Sequence, residues 1–346
     1  MKKHGLLKIL GILLVLVIIA SYLLPGRGGE KDYLGLADVA LNGYQTLYYF
    51  YYFVIFILSI GGFYGVLNKS PRYKKLLDKL VTKIKPFGKK FVLITILMFA
   101  LLASFTGMTL PMMIFIPFVM SIILLLGYDK LVAISATVVS TLVGYVGGVF
   151  VTFFNSKTGL VNTYETFVEA DSKFANLFPK LLLLFAGTAL LIYYVNKHIK
   201  NVEKKKVKYE LPEDSEVHIS EVTSDYSTMK TWPISVVIFL LFVVIILGVV
   251  PWNVLFEINI FNEFHTWLTE LAIKDFVIIP NILSDQLPAF GEWYSMGDIL
   301  AYLVISIVLV VFTLIVKLVG KVKINDAIDG YKEGMKKTLP AAALTI

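Results

Sequence analysis

The stretch ASFTGMTLPMMIFIPFVM, residues 103–120, places Thr106, Gly107 and Thr109 just ahead of two helix breakers, Pro111 and Pro117, inside a long apolar run. Farther on, FFNSKTG gathers Asn155, Ser156, Lys157, Thr158 and Gly159. Between them runs a stripe: Thr137, Thr141, Gly144, Gly148, Thr152 and Asn155, spaced 4, 3, 4, 4 and 3, share one helical face. These residues offer hydroxyl and amide oxygens, one cation and backbone free to leave helical geometry. That is the chemistry of holding an ion or a small anion, because interrupted helices present free carbonyls and half-helix N-termini. Each feature has a plainer reading. The breakers also fit a proline-kinked helix whose threonines bond their own backbone. The stripe also fits close helix packing. A straight helix from Leu131 would reach the outer interface by about Val151, which makes FFNSKTG an ordinary outer loop.

Other chemistries are excluded. There is no cysteine, hence no disulfide, thiolate ligand or cysteine nucleophile. His4, His198, His218 and His265 lie far apart, without metal-ligand spacing. No phosphate-binding glycine loop, nucleophile elbow or paired-histidine motif occurs. An intramembrane enzyme would need an acid, base or nucleophile in the core, and the apolar segments hold almost none. Asp129 and Glu165 read as interfacial. The chain reads as neither an enzyme nor a cofactor protein.

The elements that must position these residues follow from composition. The chain is 57% hydrophobic and only 16% charged, against about 25% charged in soluble domains, and its mean hydropathy is +0.77. Several runs approach the ~20 residues needed to cross a bilayer. The expected fold is an all-α polytopic membrane protein. The net charge of +7 follows membrane topology and does not point to nucleic acid.

Leu6–Leu24, behind MKKHGLLK, reads as a retained first helix with its start in the cytoplasm, because SYLLPGRGG is a poor cleavage site. Gly43–Leu67 returns. The lysine-dense loop after it, opposed only by Asp78, is cytoplasmic by the positive-inside rule. Within it Leu76–Ile84 is amphipathic, suiting either the membrane surface or a solvated helix. If Thr106–Pro111 is a turn, each arm of the run Phe91–Tyr128 is about 15 residues or 22 Å. That falls short of the ~30 Å hydrocarbon core, so a re-entrant hairpin fits better than two spans. Leu131–Val151 heads outward and Leu177–Asn196 returns. Trp232–Val250 exits, an acidic, aromatic outer region covers 251–297, and Asp298–Val316 re-enters. The final residues, TLPAAALTI, read as the start of another membrane helix, from which a truncated chain is expected.

Several stretches carry a resemblance: YLLPGRGGE; IGGFYGVLNKS (Ile60–Ser70); TGMTLPMMIFIPFVMSIILLLGYD (Thr106–Asp129), with Gly107, Met108, Phe115, Pro117 and Gly127-Tyr128-Asp129; GEWYSMGDI; and DAIDGYKEGM. In order and spacing the chain resembles the YfcC-type, dicarboxylate anaerobic carrier-like membrane proteins of the ion transporter superfamily. Two departures stand out. Leu110 and Pro111 occupy the places of the family's acidic pair, and Asn155-Ser156-Lys157 stands where Asn-Pro-Phe is usual.

The resemblance implies an inverted-repeat carrier fold, each repeat with a re-entrant hairpin and an interrupted helix, and a site between hairpin tip and helix break. The organisation is then 1–42, first helix and outer loop; 43–199, first repeat, with hairpin 91–128, interrupted helix 131–165 and helix 177–196; 200–230, cytoplasmic linker; 231–346, start of an incomplete second repeat. The expected function is ion-coupled secondary transport of small organic anions (dicarboxylate-like) or amino acids across the cytoplasmic membrane. Thr106, Gly107, Thr109, Asn155, Ser156, Lys157, Thr158 and Gly159 would bind substrate or ion, and Thr137, Thr141, Gly144, Gly148 and Thr152 would line the helix face. Lys157 would offset a substrate carboxylate, since a lysine at the membrane centre costs roughly 2.5–3.5 kcal/mol unpaired. No cofactor is expected beyond a coupling sodium ion or proton, and no metal beyond transported sodium. Membrane lipids and a small-molecule substrate are the expected partners, with a homo-oligomer left open. The alternative is an incomplete half-carrier, acting as a non-transporting membrane subunit or a non-functional fragment.

Overall fold

The structure is a computed structural model describing residues 5–23, 36–106, 109–148, 177–204, 229–250, 252–273, 276–278, 288–293 and 299–343. The described residues are helical apart from connecting turns and a two-rung antiparallel ribbon of β1 (Ala272–Ile273) and β2 (Phe276–Val277). Five stretches are long and apolar enough to cross a membrane: Phe50–Lys69, Pro71–Ser104, Leu177–Val202, Trp232–Val249 and Ile299–Val319. The protein is an all-α, multi-pass membrane protein.

Helix α1 (Gly5–Leu23) exposes Ile12, Leu13, Val15 and Val17, the behaviour of a helix solvated by lipid. Helix α2 (Leu36–Lys69) begins earlier than the apolar run from Gly43 suggests. Its later turns bury Phe56, Phe63, Val66 and Leu67 in the main core. Tyr302 inserts beside Phe53 and Tyr52, with ring centroids at 4.4 and 5.0 Å.

The corner after α2 is fixed by Ser70. Its hydroxyl accepts from Tyr73 N–H at 3.4 Å, capping α3 (Pro71–Ile84), and donates to Gly320 C=O at 3.1 Å. Arg72 Nη1 donates to Val319 C=O at 2.6 Å. These bonds satisfy carbonyls that the end of α12 (Ile299–Val319) would otherwise leave free. Helix α3 buries Tyr73, Leu76 and Leu77 and exposes Lys79 and Lys83, while half-buried Lys75 donates to Met229 C=O at 2.9 Å. The amphipathic segment is thus packed on the protein and also presents a charged face. This corner and the lysines around it form the basic end of the molecule.

Helix α13 (Ile324–Ala343) is one continuous helix. It begins well before the apolar TLPAAALTI, which the sequence suggests as its start. It runs antiparallel to α2 on a reciprocal glycine seam. A Cβ on Gly330 would lie 2.8 Å from Gly65 C=O, and one on Gly65 would fall on Gly330 C=O. Gly61 and Gly334 face each other in the same way. Small residues four apart on each helix permit this approach. At the seam's basic end Lys69 Nζ meets Glu333 Oε2 at 3.0 Å, and that bond holds the Glu333 carboxyl below its usual range.

The opposite end is aromatic. Beyond α9 (Trp232–Val249), short helices α10 (Trp252–Phe256) and α11 (Ile260–Thr269) gather Trp252, Phe261, Phe264, Phe290 and Trp293. Trp293 lies on Gly248, whose carbonyl accepts from Gly291 N–H at 2.8 Å and Trp293 N–H at 2.9 Å. Such rings suit a membrane interface.

Candidate functional site

Helices α4 (Gly88–Thr106) and α5 (Thr109–Leu125) form the hairpin. Helix α4 is described to Thr106 and α5 from Thr109, so Pro111 sits in the first turn of α5. Proline is tolerated there because first-turn N–H groups have no intrahelical partner. Arms of 19 and 17 residues span about 28 and 25 Å, and the first three residues of α4 are Gly88, Lys89 and Lys90. The end of α4 carries free carbonyls and the start of α5 free N–H groups, with opposite partial charges. Pro117 removes a bond within α5. Beside it, Tyr64 donates to Ile114 C=O at 2.7 Å and Ser121 donates to Pro117 C=O at 2.7 Å, tying this arm to α2 and to itself.

The next crossing is α6 (Lys130–Ile134), a π-helical turn (Ser135–Val139) and α7 (Ser140–Val146). Asp129 starts it: Oδ1 accepts from Val132 N–H at 3.0 Å, and Oδ2 meets His198 Nε2 at 2.6 Å. His198 lies on α8 (Leu177–Glu203). The buried Thr137 and Thr141 hydroxyls donate to Ala133 C=O and Thr137 C=O, each at 2.8 Å. Ser140 donates to Ala136 C=O at 2.7 Å and Thr137 C=O at 2.9 Å. Gly144 abuts the Ala100 backbone, and Gly147 abuts Leu184 of α8. The stripe therefore faces α4 at Gly144, and Gly147 beside it packs on α8.

One bond joins these two structures. Ser104 Oγ, buried and two residues before the end of α4, donates to Gly147 C=O at 2.6 Å. The last turn of α4 and the end of α7 are thereby side by side. Helix α7 ends at Val146, so the helical stretch from Lys130 covers about 25 Å. In the first turn of α8, one turn from Leu184, Lys180 is only 9% exposed and is the one charged side chain buried among the described residues.

Residues 48–346 match the family described as C4-dicarboxylate anaerobic carrier. The chain belongs to that family. Neither the curated proteins nor the solved structures gave a match. Membership in the C4-dicarboxylate anaerobic carrier family identifies a transport protein and speaks for translocation over catalysis. The matched span includes the hairpin, the α6–α7 crossing and both glycine pairs of the seam.

Thr106 and Thr109 are the last and first helical residues at the break; their side chains, and Gly107 itself, lie outside the described residues. So do Thr152, Asn155, Ser156, Lys157, Thr158 and Gly159. Thr137, Thr141, Gly144 and Gly148 are described, and the first three sit in the packed face above. Sequence reasoning missed Ser104 and Lys180. Ser104 could have been found as the hydroxyl one helical turn below Gly107. Lys180 could have been found as a lysine behind proline at the start of an apolar run.

Proposed function

We propose that the chain is a secondary, ion-coupled carrier of small organic anions of the C4-dicarboxylate class, in the cytoplasmic membrane with its N-terminus inside. The observation that carries this reading is the Ser104–Gly147 hydrogen bond. It joins the last turn of α4, which leads to Thr106 and Gly107, to the end of α7, from which the chain runs on to Asn155. Two carboxylates need donors and positive charge in a medium with little water. Thr106, Thr109, Asn155, Ser156 and Thr158 supply donors, Gly107 and Gly159 supply accessible backbone, and the α5 N-terminus supplies partial positive charge. Lys157, Lys173 and Lys180 are the cations within the same stretch of chain. The face of Thr137, Thr141, Gly144, Gly148 and Thr152 carries the crossing up to the site and borders the route. Hydroxyl and carbonyl oxygens suit a hard coupling cation such as sodium.

The test is flux into liposomes holding the purified protein. Uptake of radiolabelled succinate or fumarate should follow an imposed sodium or proton gradient and exceed glutamate uptake. Ser104→Ala should lower the rate with normal insertion, because the last turn of α4 loses its tie to Gly147. No gradient-driven uptake of any of the three anions would refute the proposal, and uptake without a gradient would remove the coupling.

A further inference from the structure

A cavity of about 680 Å³ lies between α4, α5, α3 and α9. Its wall is apolar, with Phe115, Phe118, Val119, Phe239 and Phe242 among the lining residues. The one hydroxyl on it, Ser235, is spent on Thr231 C=O at 3.1 Å. Water has no polar partners there and is a poor occupant. The cavity runs along α9 from Ser235 to Val250, about 22 Å, which exceeds one leaflet of the ~30 Å hydrocarbon core. Its side is open, since the lining residues Met98, Leu102 and Phe239 are 44%, 44% and 63% exposed. An occupant therefore enters from the bilayer itself.

The basic end of the cavity decides what kind of occupant fits. There it is walled by Leu76 and Leu80 of α3. Residues three apart are neighbours on a helix surface, so Lys79 stands beside Leu76 and Lys83 beside Leu80. Both lysines are exposed, and neither joins a salt bridge among the described residues. Lys230, just before α9, is exposed as well, and α3 carries a single acid, Asp78.

We propose that this groove is a binding site for an anionic phospholipid, one acyl chain lying between the hairpin and α9 and the phosphate held by Lys79 and Lys83. The chain satisfies the apolar wall without discriminating among lipids, because all bilayer lipids share it. The lysines supply the preference, about fivefold for each. The site does not depend on what the protein carries, so a failed flux assay leaves it standing.

The experiment is native mass spectrometry of the purified protein equilibrated with equimolar phosphatidylglycerol and phosphatidylcholine of identical chains. The expected result is retention of phosphatidylglycerol over phosphatidylcholine by roughly 10- to 30-fold. The double variant Lys79→Gln/Lys83→Gln should bring that ratio close to one, with unfolding temperature in lipid-free detergent unchanged. Val119→Trp, which fills the groove, should reduce retention of both lipids. Equal retention of the two lipids by the unaltered protein would overturn the proposal, as would a preference that survives loss of both lysines. The glutamines sit on an exposed face, so the charge test stands even if Val119→Trp fails to fold.

Discussion

Lys180 is a buried cation near the α7–α8 contact and already has an interaction within the protein. A lysine pays heavily for leaving water, and inside a membrane protein it is retained where it meets a counter-charge or a ligand. It stands one turn from Leu184, against which Gly147 packs, and Gly147 in turn accepts from Ser104 at 2.6 Å. If Lys180 offsets a substrate carboxylate, Lys180→Gln should raise the apparent KM for succinate on the order of 10- to 100-fold. That is the range for losing a charged hydrogen bond, and maximal rate should change less. Kinetics in reconstituted liposomes, with insertion checked by detergent extraction, read this directly; an unchanged KM would leave Lys180 a purely structural role. Thr137 and Thr141 teach the opposite lesson. Their types and spacing were legible in the sequence, but a hydroxyl in a helix can always bond the carbonyl four residues back, and both do. Residue type alone cannot tell a hydroxyl turned to a ligand from one turned to its own backbone.

Among the elements, a pair of apolar helices divided near Thr-Gly-Met was readable from the run Phe91–Tyr128, and α4 and α5 pack on each other through Phe99, Ala103 and Met112. The exact break was not, since Pro111 fits equally in a turn and in a first helical turn. The amphipathic α3 was readable from its lysine and leucine spacing, whereas the helix after α12 was not. INDAIDGYKEGMKK has the polarity of a loop, and what makes it a helix against α2 is tertiary. Its Gly330 and Gly334 meet Gly65 and Gly61, two pairs at the same four-residue interval, and a search for paired small residues would have matched them. The seam makes a sharp forecast. Gly65→Ala puts a methyl on the Gly330 carbonyl and should cost about 1–3 kcal/mol of overpacking, read as a lower unfolding temperature in detergent. Gly43→Ala, on the same helix with nothing within 4 Å of its Cβ position, should be neutral or stabilise by up to about 1 kcal/mol. Equal effects at the two positions would mean the seam does not form.

For the whole molecule, charge did most of the work. Lysine clusters at 69–90 and 317–323 stand at one end, and the acids and aromatic rings around Trp252–Trp293 stand at the other. By the positive-inside rule the lysine end is the expected cytoplasmic one. Because the chain has no cysteine, single substitutions report it cleanly. Glu263→Cys should react with an impermeant maleimide on intact cells, and Lys79→Cys only after the cells are opened; the reverse pattern would invert the threading. The glycine seam also bears on how such a machine moves. Interfaces made of side chains can re-register, since each side chain has other rotamers to adopt. Where two backbones touch there is no such play, and a slide of one turn would drive a bulky residue into a carbonyl. Helices α2 and α13 therefore travel as a single spar, and every displacement within the protein has to be measured from it.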